Sequence, residues 1–155
     1  MELLKILKDV EILSVNGQVD IDIEDISYDS RKVKQNSMFL CIRGNTVDGH
    51  NYIDDAIQKG AIAILIDKKI SYKKGITYIR VNNVKESMAI IGKNFFQSPC
   101  QKINLIGVTG TNGKTSTVSF IKQILGYDCK VGSIGTIEIY DGEKTITSIN
   151  TTPES

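Results

Sequence analysis

The chain has 155 residues, 41% hydrophobic and 24% charged, which predicts a globular protein of one ordinary domain or two small ones. A net charge of +1, no tryptophan and few aromatic residues exclude a strongly basic or base-stacking surface, so we expect no nucleic-acid partner. The charged N-terminus has no apolar signal core, and the longest apolar run, residues 61–66, is too short to span a bilayer. We therefore expect a cytoplasmic protein without a membrane partner.

The first quarter of the chain gives weak structural signals. Residues 1–9 fit a short amphipathic helix with Leu3, Leu4 and Leu7 on one side. Residues 11–25 alternate only weakly in hydrophobicity, which predicts short strands or turns, and residues 25–30 are predicted to lead into a loop.

The next part of the chain alternates strand and helix patterns, as α/β proteins do. Strands are predicted over residues 38–42 and 77–81. A helix begins at about Asn51 and is stopped by Gly60. Residues 61–66 are apolar on both faces, which is typical of a central parallel strand.

A polar segment divides the chain. Asn83 begins a helix that must end before Pro99, because proline disfavours helical geometry in the residue before it. Residues 97–102 are polar and form the best boundary. We predict one domain over residues 1–99 and a second over residues 103–155.

The second domain opens with a pattern typical of nucleotide-binding loops. A buried strand is predicted at residues 103–108, followed by a glycine-rich turn and a helix. Glycines allow a positive φ and close approach of the backbone to an anion, and the helix N-terminus attracts negative charge. The residues predicted to hold nucleotide phosphates are Gly110, Thr111, Asn112, Gly113, Lys114, Thr115 and Ser116.

This loop departs from the general phosphate-loop pattern at one position. Where G-x-x-x-x-G-K-[ST] requires its first glycine, the chain has Val108, and the glycine lies one place earlier at Gly107. The loop is therefore a variant, which argues against a generic P-loop kinase.

The sequence of the rest of the second domain predicts few elements that could complete a fold. We expect a strand near residues 130–133 and a hairpin that pairs Ile137 and Ile139 with Ile146 across a type I′ turn at Asp141-Gly142. About 50 residues rarely bury enough apolar surface to be stable alone. We expect the chain to be the N-terminal part of a longer, catalytically complete polypeptide.

Several stretches together resemble one enzyme family. Residues 107–115, GVTGTNGKT, are similar to the ATP loop of the Mur ligases, the amide-forming enzymes of peptidoglycan synthesis. Residues 29–33, DSRKV, and 44–50, GNTVDGH, resemble the signatures of the first domain of that family. Residues 135–137, GTI, and 150–154, NTTPE, resemble the branch that adds the third amino acid of the peptide.

The resemblance implies a fold, substrates and site residues. The fold is α/β, with a small UDP-binding domain followed by the first part of a P-loop, Rossmann-like ATP-binding domain. The implied substrates are UDP-MurNAc-L-Ala-D-Glu, a free amino acid and ATP with Mg²⁺, which react through an acyl phosphate in a monomeric enzyme. Lys114 would be catalytic and Thr115 would bind the metal. The residues implied to bind the UDP-sugar dipeptide are Tyr28, Ser30, Asn45, Thr46, Val47, Asn150, Thr151 and Thr152.

Three alternatives remain open on the sequence. They are a UDP-sugar-binding module with a vestigial phosphate loop, the paralogous Mur ligase that adds the terminal dipeptide, and a P-loop kinase or NTPase. His50 is the only histidine, and we assign it a capping or surface role at a helix start rather than a catalytic one.

Overall fold

The computed structural model describes residues 1–44 and 47–147. The chain divides into two compact units, Met1–Lys102 and Ile103–Ser155. Among the described residues, every helix is too short or too polar to cross a membrane.

The first unit is built on one sheet with helices beside it. Two short 3₁₀ helices, Gly49–Tyr52 and Pro99–Lys102, supplement its regular elements. These elements are α1 (Leu3–Ile6), β1 (Ile12–Asn16), β2 (Asp25–Ser27), β3 (Ser37–Leu40), α2 (Ile53–Gln58), β4 (Ala61–Ile66), β5 (Thr77–Val81) and α3 (Val84–Phe95).

The sheet has the strand order β1-β5-β4-β3-β2. Strands β2 to β5 are mutually parallel, and β1 pairs antiparallel with β5 at one edge. Strand β4 lies in the centre because its apolar residues can be buried on both faces of the sheet. The predicted α/β fold class is confirmed.

Side chains of the central strands alternate between two apolar clusters. One cluster joins α1 and α3 to the sheet and includes Leu65, Met88 and Ile91. The other joins α2 to the sheet and includes Ile53 and Ile64. Each fully buried Leu or Ile contributes about 1.5–3 kcal/mol, so burial on both faces dominates the stability of this unit.

Two predictions for the start of the chain were wrong. In α1, Leu4 is 58% exposed, and the buried face is instead Leu3, Ile6 and Leu7, which matches the i, i+3, i+4 spacing of a helix. Residues 25–27 form β2 rather than a loop, because they pair in parallel with β3.

Both predicted helix boundaries around the central strands are confirmed. Gly60 follows α2 with a φ of +109°, a conformation that costs glycine little. The Asn83 side chain caps α3 by accepting hydrogen bonds from the N–H groups of Lys85 and Glu86, at 3.0 and 3.4 Å. Its amide donates to Glu86 Oε1 at 2.8 Å, which completes the reciprocal cap.

The second unit, as far as the structure describes it, contains one helix and one small sheet. Its elements are α4 (Lys114–Leu125), β6 (Ser133–Ile134), β7 (Glu138–Tyr140) and β8 (Thr145–Thr147). The three strands pair antiparallel in the order β6-β7-β8.

The buried strand predicted at residues 103–108 is absent from the described structure. Ile103, Leu105 and Ile106 are 60%, 84% and 57% exposed, and no strand is assigned there. A strand needs a partner for its backbone N–H and C=O groups, and β6 to β8 pair only with one another in the described part of this unit.

The hairpin has only part of the predicted pairing, since Ile137 precedes β7, and its turn differs from the predicted one. Ile139 lies opposite Ile146, as expected. Of Asp141 and Gly142, however, only Gly142 has a positive φ, +97°, so the pair cannot form a type I′ turn. The Asp141 carboxylate instead accepts hydrogen bonds from the N–H groups of Glu143 and Lys144, at 2.8 and 2.7 Å. This local bonding shifts the turn by one residue.

Candidate functional site

The glycine-rich turn of the second unit leads directly into α4. Gly110 has a φ of +152° and Gly113 a φ of +77°, conformations that side chains disfavour. Gly113 is the N-cap residue, and its carbonyl accepts the N–H of Thr117 at 2.9 Å. The N–H groups of the first helical turn therefore lack intrahelical partners and can bind an anion.

Lys114 is the first residue of α4, and its side chain folds back across the turn. Its Nζ donates a hydrogen bond to the Gly110 carbonyl oxygen, so the ammonium group lies over the loop. Thr115 and Ser116 follow in the same turn and are exposed. The structure thus brings all seven predicted phosphate-binding residues, 110–116, together at one helix N-terminus.

The same helix terminus offers little else to a metal ion. The Thr115 hydroxyl is a hard oxygen ligand that suits Mg²⁺. Within residues 1–44 and 47–147, no group of three or more His, Cys, Asp or Glu residues could hold a metal. Thr115 therefore offers one oxygen ligand that fits a magnesium ion.

In the first unit, the turn after β2 borders an open groove of about 460 Å³. Tyr28 lines this groove and is 46% exposed. Ser30 is only 8% exposed and does not line it. The Ser30 carbonyl accepts a hydrogen bond from Lys59 Nζ at 2.9 Å, which ties the turn to the end of α2.

Asp29 and Arg31 stiffen this turn. Arg31 Nε and Nη2 donate to the two Asp29 carboxylate oxygens at 2.9 and 2.8 Å, and the Arg31 N–H donates to the same carboxylate at 3.0 Å. The hydrogen bond from the Arg31 side chain is the main reason that the pKa of Asp29 is lowered to about 2. The pair is a local structural brace, since both partners belong to one turn.

A second segment connects β3 to the 3₁₀ helix before α2. Arg43 and Asp48 form an isolated antiparallel bridge. Between them, the Gly44 N–H donates to the Val47 carbonyl at 2.8 Å, and Val47 is 50% exposed. Five predicted substrate-binding residues lie outside the described residues: Asn45, Thr46, Asn150, Thr151 and Thr152.

His50 is buried, so the surface alternative of the sequence prediction was wrong. Its side chain is 2% exposed, and Nδ1 lies 2.6 Å from Asp48 Oδ1. The capping role belongs to Asp48, which accepts the His50 N–H at 2.9 Å. Sequence reasoning missed this arrangement because the other partners, Asp67 and Lys68, lie at the end of β4, far along the chain.

Asp48 is ionised in this environment. Partial burial alone would raise its pKa, but hydrogen bonds from Lys68 Nζ and from the His50 N–H and ring together hold the pKa well below its ordinary value. Cys41, fully buried close by, has its thiol pKa raised mainly by burial. Asp48 is therefore a fixed negative charge, and Cys41 is not a nucleophile.

Two family models match the chain. The model described as "Mur ligase family, catalytic domain" matches residues 22–97, and that described as "Mur ligase middle domain" matches residues 108–155.

Curated relatives match the chain over its full length. A UDP-N-acetylmuramoyl-L-alanyl-D-glutamate--2,6-diaminopimelate ligase of Clostridioides difficile (strain 630) is 49% identical over 156 residues, 100% of this chain and 32% of that protein. The ligase of the same name from Alkaliphilus metalliredigens (strain QYMF) is 47% identical with the same coverage. The chain thus spans about a third of the length of these relatives.

Solved structures share the fold. A crystal structure of MurF from Acinetobacter baumannii has a TM-score of 0.67 and 20% identity, covering 86% of this chain and 30% of that one. A MurF ligase from Thermotoga maritima in complex with ADP has a TM-score of 0.54 and 24% identity, covering 68% of this chain and 24% of that one.

Proposed function

Because the chain belongs to the Mur ligase family, we propose that it supplies the substrate-nucleotide and phosphate-binding residues of an ATP-dependent ligase. This ligase adds the third amino acid to UDP-MurNAc-L-Ala-D-Glu. The relatives described above are named for 2,6-diaminopimelate, and we propose the same amino acid here. The observation that carries the proposal is the turn at residues 110–116, which places Lys114 across a helix N-terminus.

The two nucleotides are bound by different units. Residues 1–99 bind the UDP-sugar and residues 103–155 begin the ATP-binding domain. In the first unit, exposed Tyr28 offers an aromatic face to the nucleotide, and the hydrogen bond from Lys59 to its carbonyl holds the buried Ser30 in the same turn. Asn45, Thr46 and Val47 contact the same nucleotide. Asn150, Thr151 and Thr152 orient the muramoyl dipeptide.

The chemistry is amide synthesis through an acyl phosphate. The glutamyl carboxylate attacks the γ-phosphorus of ATP, and ADP leaves as the bond to the bridging oxygen breaks. The amine of the incoming amino acid then attacks the acyl carbon, inorganic phosphate leaves, and the amine loses a proton to solvent. Backbone N–H groups of residues 110–114 hold the phosphates, and Lys114 leaves the Gly110 carbonyl to neutralise the charge that moves between oxygens. Thr115 would hold a bound Mg²⁺, which would supply further charge neutralisation at the phosphates.

The same assignment predicts where the protein works. Both nucleotide substrates are water-soluble, and the enzyme acts as a cytoplasmic monomer. The variant position Val108 distinguishes this loop from that of general P-loop kinases, in keeping with a ligase.

Replacement of Lys114 tests this function. In the protein expressed from its complete reading frame, Lys114→Ala should lower amino-acid-dependent ADP formation at least about 100-fold, because the transferring phosphoryl group loses its cation. Affinity for UDP-MurNAc-L-Ala-D-Glu, measured by calorimetry, should change less than about twofold, since Lys114 is not among the residues assigned to that ligand.

Lys144→Ala is the matched control. Lys144 is exposed, and its hydrogen bonds to described residues use only its backbone: the N–H donates to Asp141 Oδ1 and the carbonyl accepts the Asp141 N–H. This variant should retain wild-type turnover. Turnover by Lys114→Ala above a tenth of wild type would contradict the proposed role. ATP hydrolysis by the wild type without the UDP-linked substrate would favour a general NTPase.

A further inference from the structure

A cluster of five charged or titratable residues lies beside α2 and is used by none of the steps above. We call it the His50 cluster, and its members are Arg43, Asp48, His50, Asp67 and Lys68. His50 is at its centre, with Nδ1 2.6 Å from Asp48 Oδ1 and Nε2 3.5 Å from Asp67 Oδ1. Lys68 Nζ lies 2.7 Å from Asp48 Oδ2, and Arg43 Nη2 lies 2.6 Å from Asp67 Oδ1.

The cluster is closed on the inside and open at its rim. The side chains of His50 and Asp67 are 2% and 15% exposed, whereas those of Lys68 and Arg43 are 39% and 52% exposed. Nε2 of His50 is buried and has no hydrogen-bond partner among the described residues. Buried charged groups are costly unless they are paired, and apolar residues of similar size would often serve stability as well. Stability alone therefore does not explain why these residues are clustered.

The position of the cluster suggests that purpose. Arg43 and Asp48 are the two ends of one short segment and are bridged to each other. Within it, the Gly44 N–H donates to the Val47 carbonyl at 2.8 Å. Two residues just beyond β4 form ion pairs with these ends. Asp67 pairs with Arg43, and Lys68 pairs with Asp48. Residues at the end of the central strand β4 are thereby tied to both Arg43 and Asp48, which flank Gly44 and Val47.

The backbone is tightly packed where Gly49 passes Ile42. The Gly49 N–H donates to the Ile42 carbonyl at 2.8 Å. A Cβ on Gly49 would lie 2.9 Å from both the N and the O of Ile42. Movement of Asp48 would therefore be transmitted to Gly44 and Val47 rather than absorbed at this crossing.

We propose that Asp48 and His50 are positioning residues for the nucleotide end of the substrate. They hold the backbone of Gly44 and Val47 in one arrangement, on which affinity for a UDP-sugar depends. The inference rests on the proposed function, in which Val47 contacts that ligand. A preorganised segment loses little entropy on binding, so loosening it weakens affinity without removing a contact.

The test compares two affinities in the protein expressed from its complete reading frame. Asp48→Asn keeps an acceptor for the His50 N–H but removes the charge that holds Lys68 and the imidazole. His50→Gln removes the ring. Each should weaken binding of UDP-MurNAc-L-Ala-D-Glu about tenfold by calorimetry and raise its KM to match. The kcat and the KM for ATP should stay within twofold, a separation that general destabilisation would not produce.

Two control variants separate positioning from stability. Asp54→Asn is the same chemical change at an exposed partner of Lys73, and it should leave every constant unchanged. Ile91→Val removes one methyl group from the opposite apolar cluster, so it should lower the melting temperature and leave UDP-sugar affinity at the wild-type value.

Each outcome bears on the inference. Wild-type UDP-sugar affinity in both Asp48→Asn and His50→Gln, or an equal rise in the KM for ATP, would overturn it while leaving the proposed function in place. If both variants fail to fold, Lys68→Gln is the substitute test, because Lys68 is more exposed and its replacement is better tolerated. Several-fold weaker UDP-sugar binding by this variant supports the inference, and unchanged binding overturns it. A wild-type protein that does not bind the UDP-sugar would overturn the proposed function and this inference with it.

Discussion

Alanine at position 49 should destabilise the first unit, because there is no room for a side chain where this residue crosses the end of β3. An added Cβ would meet the backbone N and O of Ile42 at 2.9 Å and the carbonyl carbon of Cys41 at 3.1 Å. All three are backbone atoms, so the clash cannot be relieved by rotating a side chain. An ordinary contact requires a shift of about 0.5 Å in one of two hydrogen-bonded backbone segments, at a cost of about 1–3 kcal/mol.

Urea unfolding measures this cost directly. With a slope of about 2 kcal/mol/M, typical for a small domain, Gly49→Ala should lower the midpoint by about 1 M without a change in slope. Gly92→Ala is the matched control, since a Cβ at Gly92 in the middle of α3 meets nothing within 4 Å. It should stabilise the protein by about 0.5–1 kcal/mol through helix propensity. A Gly49→Ala midpoint at or above that of the wild type would refute the steric reasoning.

Two further substitutions probe local bonding. Asn83→Ala should cost about 1 kcal/mol, because α3 loses its cap, and a urea midpoint equal to wild type would count against the cap. Asp29→Asn should cost less than about 1 kcal/mol at pH 7, because Arg31 is 84% exposed and the pair is screened by solvent. The pKa of Asp29, about 2 when folded, lies below its unfolded value of about 3.9, so this contribution is present above pH 4 and is lost as pH falls towards 2. A wild-type to variant difference that grew on acidification would contradict the ion pair.

Much of the first unit could be predicted from local sequence signals. The run at 61–66 had to be a central strand, because only a position between two covered faces buries five of its six residues, all but Ile62. Asn83 marked the start of a helix because few side chains can cap its N–H groups. Gly60 marked the end of one because few residues other than glycine adopt a positive φ. Such signals depend on a few neighbouring residues, so they can be interpreted without knowledge of the tertiary fold.

The errors arose where distant partners decide the structure. Strand β2 has only three residues and little periodicity, and it exists because β3 lies beside it. Conversely, residues 103–108 have the composition of a strand but no partner in the described part of the second unit. The phosphate turn was predictable because its glycines and Lys114 lie within seven residues of one another.

The His50 cluster could not be predicted for the same reason. Asp48 and His50 are close in sequence, but Asp67 and Lys68 are not. These two residues lie near them only because β4 pairs with β3 in the sheet. Nothing in the local pattern of residues 44–50 distinguishes a buried histidine from an exposed helix cap. The fold, not the motif, makes this residue structurally important.

Double titration of the wild-type protein tests the central claim most directly. Calorimetry should show one site for UDP-MurNAc-L-Ala-D-Glu and one for Mg-ATP, with each ligand still binding when the other is saturating, because no residue is assigned to both ligands. Binding of the UDP-sugar without ATP would indicate a sugar-nucleotide-binding module with a vestigial phosphate loop. Binding of ATP alone would indicate a kinase or NTPase, and either result would contradict the assignment as a ligase.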